Sequence, residues 1–183
     1  MLRRIALLAL VLVTVAVHAG EIQEVSVSHK DGVYTLDLDI IVSSRFEAVY
    51  ALVTDYDRLK RISEVLIESS LLSEAGAEIK RRRLVTRICI LIFCFKARMV
   101  EDVWEDETSI ITKIIPEQSD YEYGKTEWHI NVVDDEHSRI RLFSELKPDF
   151  WIPPFIGPFL MKQKMMSEAK KTINHIEELA GDD

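Results

Sequence analysis

The sequence predicts an α+β domain in which one curved antiparallel sheet wraps around one long terminal helix. Three observations predict it. Through the middle of the chain, successive short segments alternate apolar with polar residues, so each can bury one face. A turn signal at Asp31-Gly32 and a helix-start signal at Ser44-Arg45-Phe46-Glu47 divide the early part of that pattern. Beyond Pro158 there is no further proline, and apolar residues recur at helical spacing to about Ala180. A sheet with one apolar face and a helix with one apolar stripe bury both surfaces by packing on each other.

The chain begins Met1-Leu2-Arg3-Arg4, continues with an apolar run over residues 5–17, and reaches Val17-His18-Ala19-Gly20. A basic start, a short apolar run and small residues before a cut describe a secretory leader. The run is too short for a comfortable membrane span of ~20 residues. Cleavage is expected after Ala19, giving a periplasmic or secreted protein. No cysteine follows that cut, so no lipid anchor is expected. Residues 20–183 form the expected domain. The formal charge is −8 and becomes more negative once Arg3 and Arg4 are removed. So acidic a domain is a poor nucleic-acid binder.

Residues 24–28 place Val25 and Val27 on one side. After Asp31-Gly32, residues 33–42 place Leu36, Leu38, Ile40 and Val42 on one side. If Lys30 pairs with Val33, then Val27 faces Leu36 and Val25 faces Leu38, so register and apolar face agree on a hairpin. The capping box at Ser44 opens a helix with Phe46, Val49, Tyr50 and Val53 as its buried stripe. Asp55-Tyr56-Asp57 ends it. Strands are expected over residues 65–73, 78–90, 93–104, 110–115, 126–133 and 139–147, with a turn at Ala75-Gly76. Leu84, Ile88 and Ile90 share a side, as do Phe93, Phe95, Ala97, Met99 and Val103. Thr126, Trp128, Ile130 and Val132 also go together, and so do Ile140, Leu142 and Leu146. The last element opens at Pro153-Pro154, which fit a helix start and not a helix interior. Its stripe is Phe155, Phe159, Met165, Met166, Ala169, Ile173, Ile176 and Ala180, and Gly181 is placed to stop it.

This order, with residues 46–56 closing on Thr54-Asp55-Tyr56 and a terminal helix after Pro153-Pro154, resembles the helix-grip fold of the START-like superfamily. The resemblance takes in its polyketide cyclase and coenzyme-Q-binding branches and covers essentially the whole chain after the leader. It implies an apolar cavity between sheet and terminal helix, and a binder or carrier of a hydrophobic molecule such as a lipid or isoprenoid quinone. It supplies no universal catalytic residues and implies no cofactor. The inward faces make Leu84, Ile88, Phe95, Met99, Trp128, Ile130, Leu142, Phe155 and Phe159 the expected lining. A single helix leaves part of a long concave face unfilled, so a pocket of several hundred Å³ is expected. A cyclase- or dehydratase-type enzyme using the same cavity, and an interaction module with a filled core, are the alternatives. An unpaired inward acid or histidine would favour the enzyme, and a filled core the module.

Signals for catalysis are few. The sequence has no nucleophile elbow, no phosphate loop and no metal-spaced His/Cys cluster. Of the five histidines, His18 lies in the leader, His29 and His137 by turns, and His175 late in the last helix. His129 has the parity opposite to Trp128 and points outward. Arg82 shares the inward side with Leu84, and Glu101 the inward side with Phe95 and Met99. Antiparallel pairing around Leu91-Ile92 sets Arg82 opposite Glu101, Ile88 opposite Phe95 and Cys89 opposite Cys94. An inward Arg–Glu pair is either an ion pair at the sheet's end or a polar anchor for a ligand head group. Cys89 and Cys94 are either two buried thiols or a bridge, and export favours the bridge. If the segment ran on as one strand, the two would lie ~17 Å apart and unbonded. Phe150, Trp151 and Ile152 either pack on the sheet edge or touch a membrane during ligand transfer.

Overall fold

Asp31 and Gly32 both take positive φ, +52° and +83°, the geometry of a tight hairpin turn. They join β1 (Glu21–Lys30) to β2 (Val33–Val42). Lys30 pairs with Val33, Val27 with Leu36 and Val25 with Leu38, the register read from the sequence. The computed structural model describes residues 21–181 except 75, 91, 92, 153, 154 and 156. The expected leader with its cut after Ala19, Ala75 of the expected turn, Leu91-Ile92 and Pro153-Pro154 lie outside the described residues.

The chain then forms α1 (Phe46–Thr54), a 3-10 turn (Leu59–Arg61) and β3 (Leu66–Leu71). β4 (Lys80–Ile90), β5 (Phe93–Glu105), β6 (Ser109–Ile114), β7 (Tyr121–Val132), β8 (Ser138–Pro148) and α2 (Gly157–Gly181) follow. The eight strands make one antiparallel sheet in the order β1-β2-β8-β7-β6-β5-β4-β3. The expected α+β helix-grip architecture is therefore the one observed. α2 packs on β1 and β2 at one side of the sheet and on β4 near the other.

The pairing of β2 with β8 has a local consequence. β3 must begin at the opposite edge, so α1 and the 3-10 turn carry the chain across the concave face. α1 buries Val49, Leu52 and Val53, and the 3-10 turn buries Leu59. Thr54-Asp55-Tyr56 secures the exit. Thr54 Oγ1 donates to the Tyr50 carbonyl at 2.7 Å, and Asp55 holds Arg58 and Arg61 at 2.6 and 2.8 Å.

The capping box is a correction. The N-cap is Arg45 and has no side-chain cap. Ser44 is drawn instead toward β8, where Ser138 Oγ donates to its carbonyl at 2.7 Å, and Ser44 Oγ is left without a partner among the described residues. β7 also begins earlier than expected, because Gly124 and an irregularity between Tyr121 and Tyr123 interrupt the alternation that marks a strand. A Cβ on Gly124 would collide with Ile114 and touch Leu146, so the glycine is what allows this crossing.

Candidate ligand-binding cavity

Between the sheet and α2 lies an apolar cavity of about 280 Å³. Its floor follows from register. Leu38 pairs with Leu142, Leu142 with Trp128, and Trp128 with Ile110, so one row of inward side chains crosses four strands. All four line the cavity, with Leu84 of β4 beyond them. Met165, Ala169 and Ile173 of α2, spaced by four, form the roof, and Val53, Leu59 and Ile62 close one end. A second cavity, of about 160 Å³, lies toward Ile88 and Met99 and includes Tyr34, Tyr121 and Met161. Met165 and Glu168 line both cavities.

The row next to Leu38 is different in chemistry. Ser144 pairs with Thr126 and Thr126 with Thr112. Thr126 Oγ1 and Ser144 Oγ lie 2.8 Å apart, and Thr112 Oγ1 donates to Glu101 Oε1 at 3.0 Å. Glu101 Oε2 accepts from Arg82 Nε at 2.8 Å, with both residues buried. The Arg82 guanidinium also lies 5.1 Å from the centre of the Tyr56 ring. Tyr56 donates to Glu105 Oε1 at 2.6 Å, and Lys80 holds both oxygens of Glu105 at 2.8 Å. Burial raises the Tyr56 phenol well above the usual range, and its bond to Glu105 adds to the rise. Tyr56 thus stays a neutral donor. In the smaller cavity, burial pushes the Tyr121 phenol up to about 12.

The expected site residues divide. Arg82, Leu84, Trp128 and Leu142 line the larger cavity, and Ile88 and Met99 the smaller. Five others line neither. Glu101 lies behind Arg82, bonded to it and to Thr112. Phe95 stacks on Phe150, with ring centres 4.5 Å apart. Ile130 is 0% exposed, in a row with Ile140 and Ile40 that belongs to the closed core with Val49 of α1. Phe155 is 97% exposed and Phe159 62% exposed. The inward face of α2 is set by Met161 and Met165, and Phe159, two residues before Met161, falls about 200° around the helix. Phe155 precedes the helix with φ +70°. Trp151 is 70% exposed, Phe150 packs on Phe95 and Tyr121, and Ile152 is half-buried. Cys89 and Cys94 pair across β4 and β5 and are disulfide-bonded. Among the described residues no group of three or more His, Cys, Asp or Glu has an arrangement that could hold a metal ion.

Sequence reasoning missed Glu168 and Thr172, as well as the end wall from α1 and the 3-10 turn. The signal for the first two was present: with Met165, Ala169 and Ile173 they occupy positions i, i+3, i+4, i+7 and i+8 of one helix face.

A family model described as polyketide cyclase / dehydrase and lipid transport matches residues 42–165. No curated protein matches the sequence. Among solved structures, the Zhui aromatase/cyclase from Streptomyces sp. R1128 superposes with a TM-score of 0.68 at 12% identity, covering 81% of this chain and 94% of that one. A START superfamily protein from Mycobacterium smegmatis gives 0.63 at 13% identity, covering 79% and 98%. A STAR-related lipid transfer protein from Xanthomonas axonopodis gives 0.60 at 11% identity, covering 84% and 97%. At these identities the likeness is one of fold.

Proposed function

The chain belongs to the polyketide cyclase / dehydrase and lipid transport family, and from that premise we propose that it is an exported carrier of a hydrophobic small molecule, a lipid or an isoprenoid quinone. One observation carries the reading: the apolar cavity of about 280 Å³ between the sheet and α2. Its size is close to the lower end of ordinary ligand sites, about 300 Å³. Arg82, facing that cavity from the sheet, supplies a cationic donor for a polar head group. The exposed Trp151, Phe155 and Phe159 make the surface that would meet a membrane during transfer, in place of the inward-turned Phe150 and Ile152. Export is supported by the leader pattern before Ala19 and by the Cys89–Cys94 bridge, which suits an oxidising compartment.

A second reading, a cyclase- or dehydratase-type enzyme, has one observation in its favour. Glu168 is an inward carboxylate with one oxygen taken by Lys164 and the other open. A filled interaction module is disfavoured by the cavity itself.

The test is to purify the protein, extract it with organic solvent, and compare it with Ala169→Phe. Ala169 lines the larger cavity, so the added ring enters free space. The parent is expected to carry an apolar molecule. The variant is expected to lose it while its stability falls by less than about 1 kcal/mol. In a filled core the same change would cost about 1–3 kcal/mol. A parent that carries nothing, with a strongly destabilised variant, would defeat the carrier.

A further inference from the structure

We propose that Glu168 is the hydrogen-bond acceptor for a hydroxyl on the bound molecule, which narrows the lipid or quinone of the proposed function to an apolar alcohol or phenol, such as a hydroxyl-bearing lipid or the reduced quinol. This rests on the cavity being a ligand site.

Glu168 occupies the apolar face of α2, three residues after Met165 and one before Ala169, and is only 9% exposed. Lys164, one turn earlier, binds Oε1 at 2.7 Å, and Lys171 lies 3.8 Å from the same oxygen. Both cations thus approach one oxygen. Oε2 is buried and has no hydrogen-bond partner among the described residues. Leaving such an oxygen unbonded away from water is unfavourable, so the position is suited to a partner that arrives with the ligand. Glu168 lines both cavities, so a molecule in either one can reach it. On the sheet, register puts the polar row Ser144, Thr126 and Thr112 between the Leu38 row and the row of Tyr34 and Leu146. That row sets hydroxyls into the middle of the sheet's inner face, in addition to the buried Arg82–Glu101 pair.

The donor's identity follows from charge. An ionised carboxylate only accepts, so its partner must bring an O–H or N–H. A quinone carbonyl offers acceptors alone and leaves Oε2 unbonded, whereas the reduced quinol carries phenolic donors. An ammonium would have to settle beside the ammonium of Lys164, and that repulsion favours a neutral hydroxyl.

The test uses the delipidated protein with N-phenyl-1-naphthylamine as the displaced probe and three competitors of equal chain: dodecanol, dodecyl methyl ether and dodecane. Dodecanol is expected to bind about tenfold more tightly than its ether, the scale of one hydrogen bond to a charged group. Glu168→Met removes both oxygens at similar length. It is expected to bring dodecanol down to the level of the ether and leave the ether unchanged. Lys164→Ala breaks the same ion pair but keeps the oxygens, and is expected to retain the preference. Should Glu168→Met fail to fold, Glu168→Gln keeps the shape and one acceptor, and is expected to retain only part of the preference. Equal binding of alcohol and ether by the parent overturns the assignment and leaves the carrier standing. A full preference surviving in Glu168→Met or Glu168→Gln overturns it as well. If no competitor displaces the probe, the carrier reading falls and this inference falls with it.

Discussion

Arg82 and Glu101 are two charges held 2.8 Å apart and almost wholly removed from water. Such a pair is weak evidence for stability as a unit, yet breaking it leaves one buried charge uncompensated. Glu101→Leu is therefore expected to destabilise by about 3–5 kcal/mol, and the double change Arg82→Met with Glu101→Leu to recover most of that loss. Denaturant midpoints of the parent and the two variants decide it; equal losses in single and double would show that packing, not charge, dominates. Asp39 behaves differently because it is nearer solvent. Hydrogen bonds from Arg139 at 2.7 and 2.6 Å hold its carboxyl below the usual range, with the positive charges of Arg139 and Arg141 adding to the effect. Its folded value thus lies below the unfolded value of about 3.9. The stabilisation is complete above that unfolded value and is lost as pH falls through the depressed folded one. Asp39→Asn is expected to trail the parent by up to about 1 kcal/mol at pH 7, with the gap closing in acid. A gap that persists into strong acid would count against this origin. The Arg82–Glu101 pairing was legible, since strand parity and one turn position determine it. Glu168 was passed over although its spacing from Met165, Ala169 and Ile173 puts it on their face, because a carboxylate among Lys164, Lys170 and Lys171 reads by its charge as part of a solvated one.

At the scale of elements, the front of α2 shows how far a periodic pattern can be trusted. Apolar residues at helical spacing locate the helix, but the stripe they draw can be carried one turn too far. Phe155 and Phe159 extend it on paper, whereas Met161 and Met165 set the buried face, and the two phenylalanines are left outside with Trp151. Replacing Trp151, Phe155 and Phe159 together by serine is expected to leave the thermal midpoint nearly unchanged, because exposed side chains contribute little to folding. The same variant is expected to slow ligand transfer between vesicles several-fold while equilibrium binding is preserved. Unchanged transfer would remove these aromatics from the membrane-contact surface. Strand alternation proved more dependable than the helix stripe where it was unbroken, as in β2, β4 and β5. It failed at the start of β7, where Gly124 gives up a side chain so that Ile114 can occupy its place.

At the scale of the molecule, the order of hairpin, helix, meander and terminal helix could be read from periodicity. The neighbours in the sheet could not, because alternation assigns faces and says nothing about which distant strand lies alongside. The pairing of β2 with β8, and the crossing by α1 that it forces, emerge only in three dimensions, which is why Val53, Leu59 and Ile62 were absent from the expected lining. Export is tested on the whole chain: N-terminal sequencing of protein from the exported fraction is expected to begin at Gly20, and an intact Met1 on soluble cytosolic protein would sink the proposal. The β2–β8 pairing also bears on how the chain reaches its structure. Asp39 and Arg139, bonded across these strands, are 100 residues apart in sequence. Closing so long a loop must precede the contacts that reward it, and sheets dominated by such pairings form on the millisecond-to-second scale. The N-terminal hairpin therefore has no permanent neighbour until β8 has emerged from the ribosome. For the exported chain proposed above, that delay would keep the hairpin from docking into the sheet while its last strand is still being made.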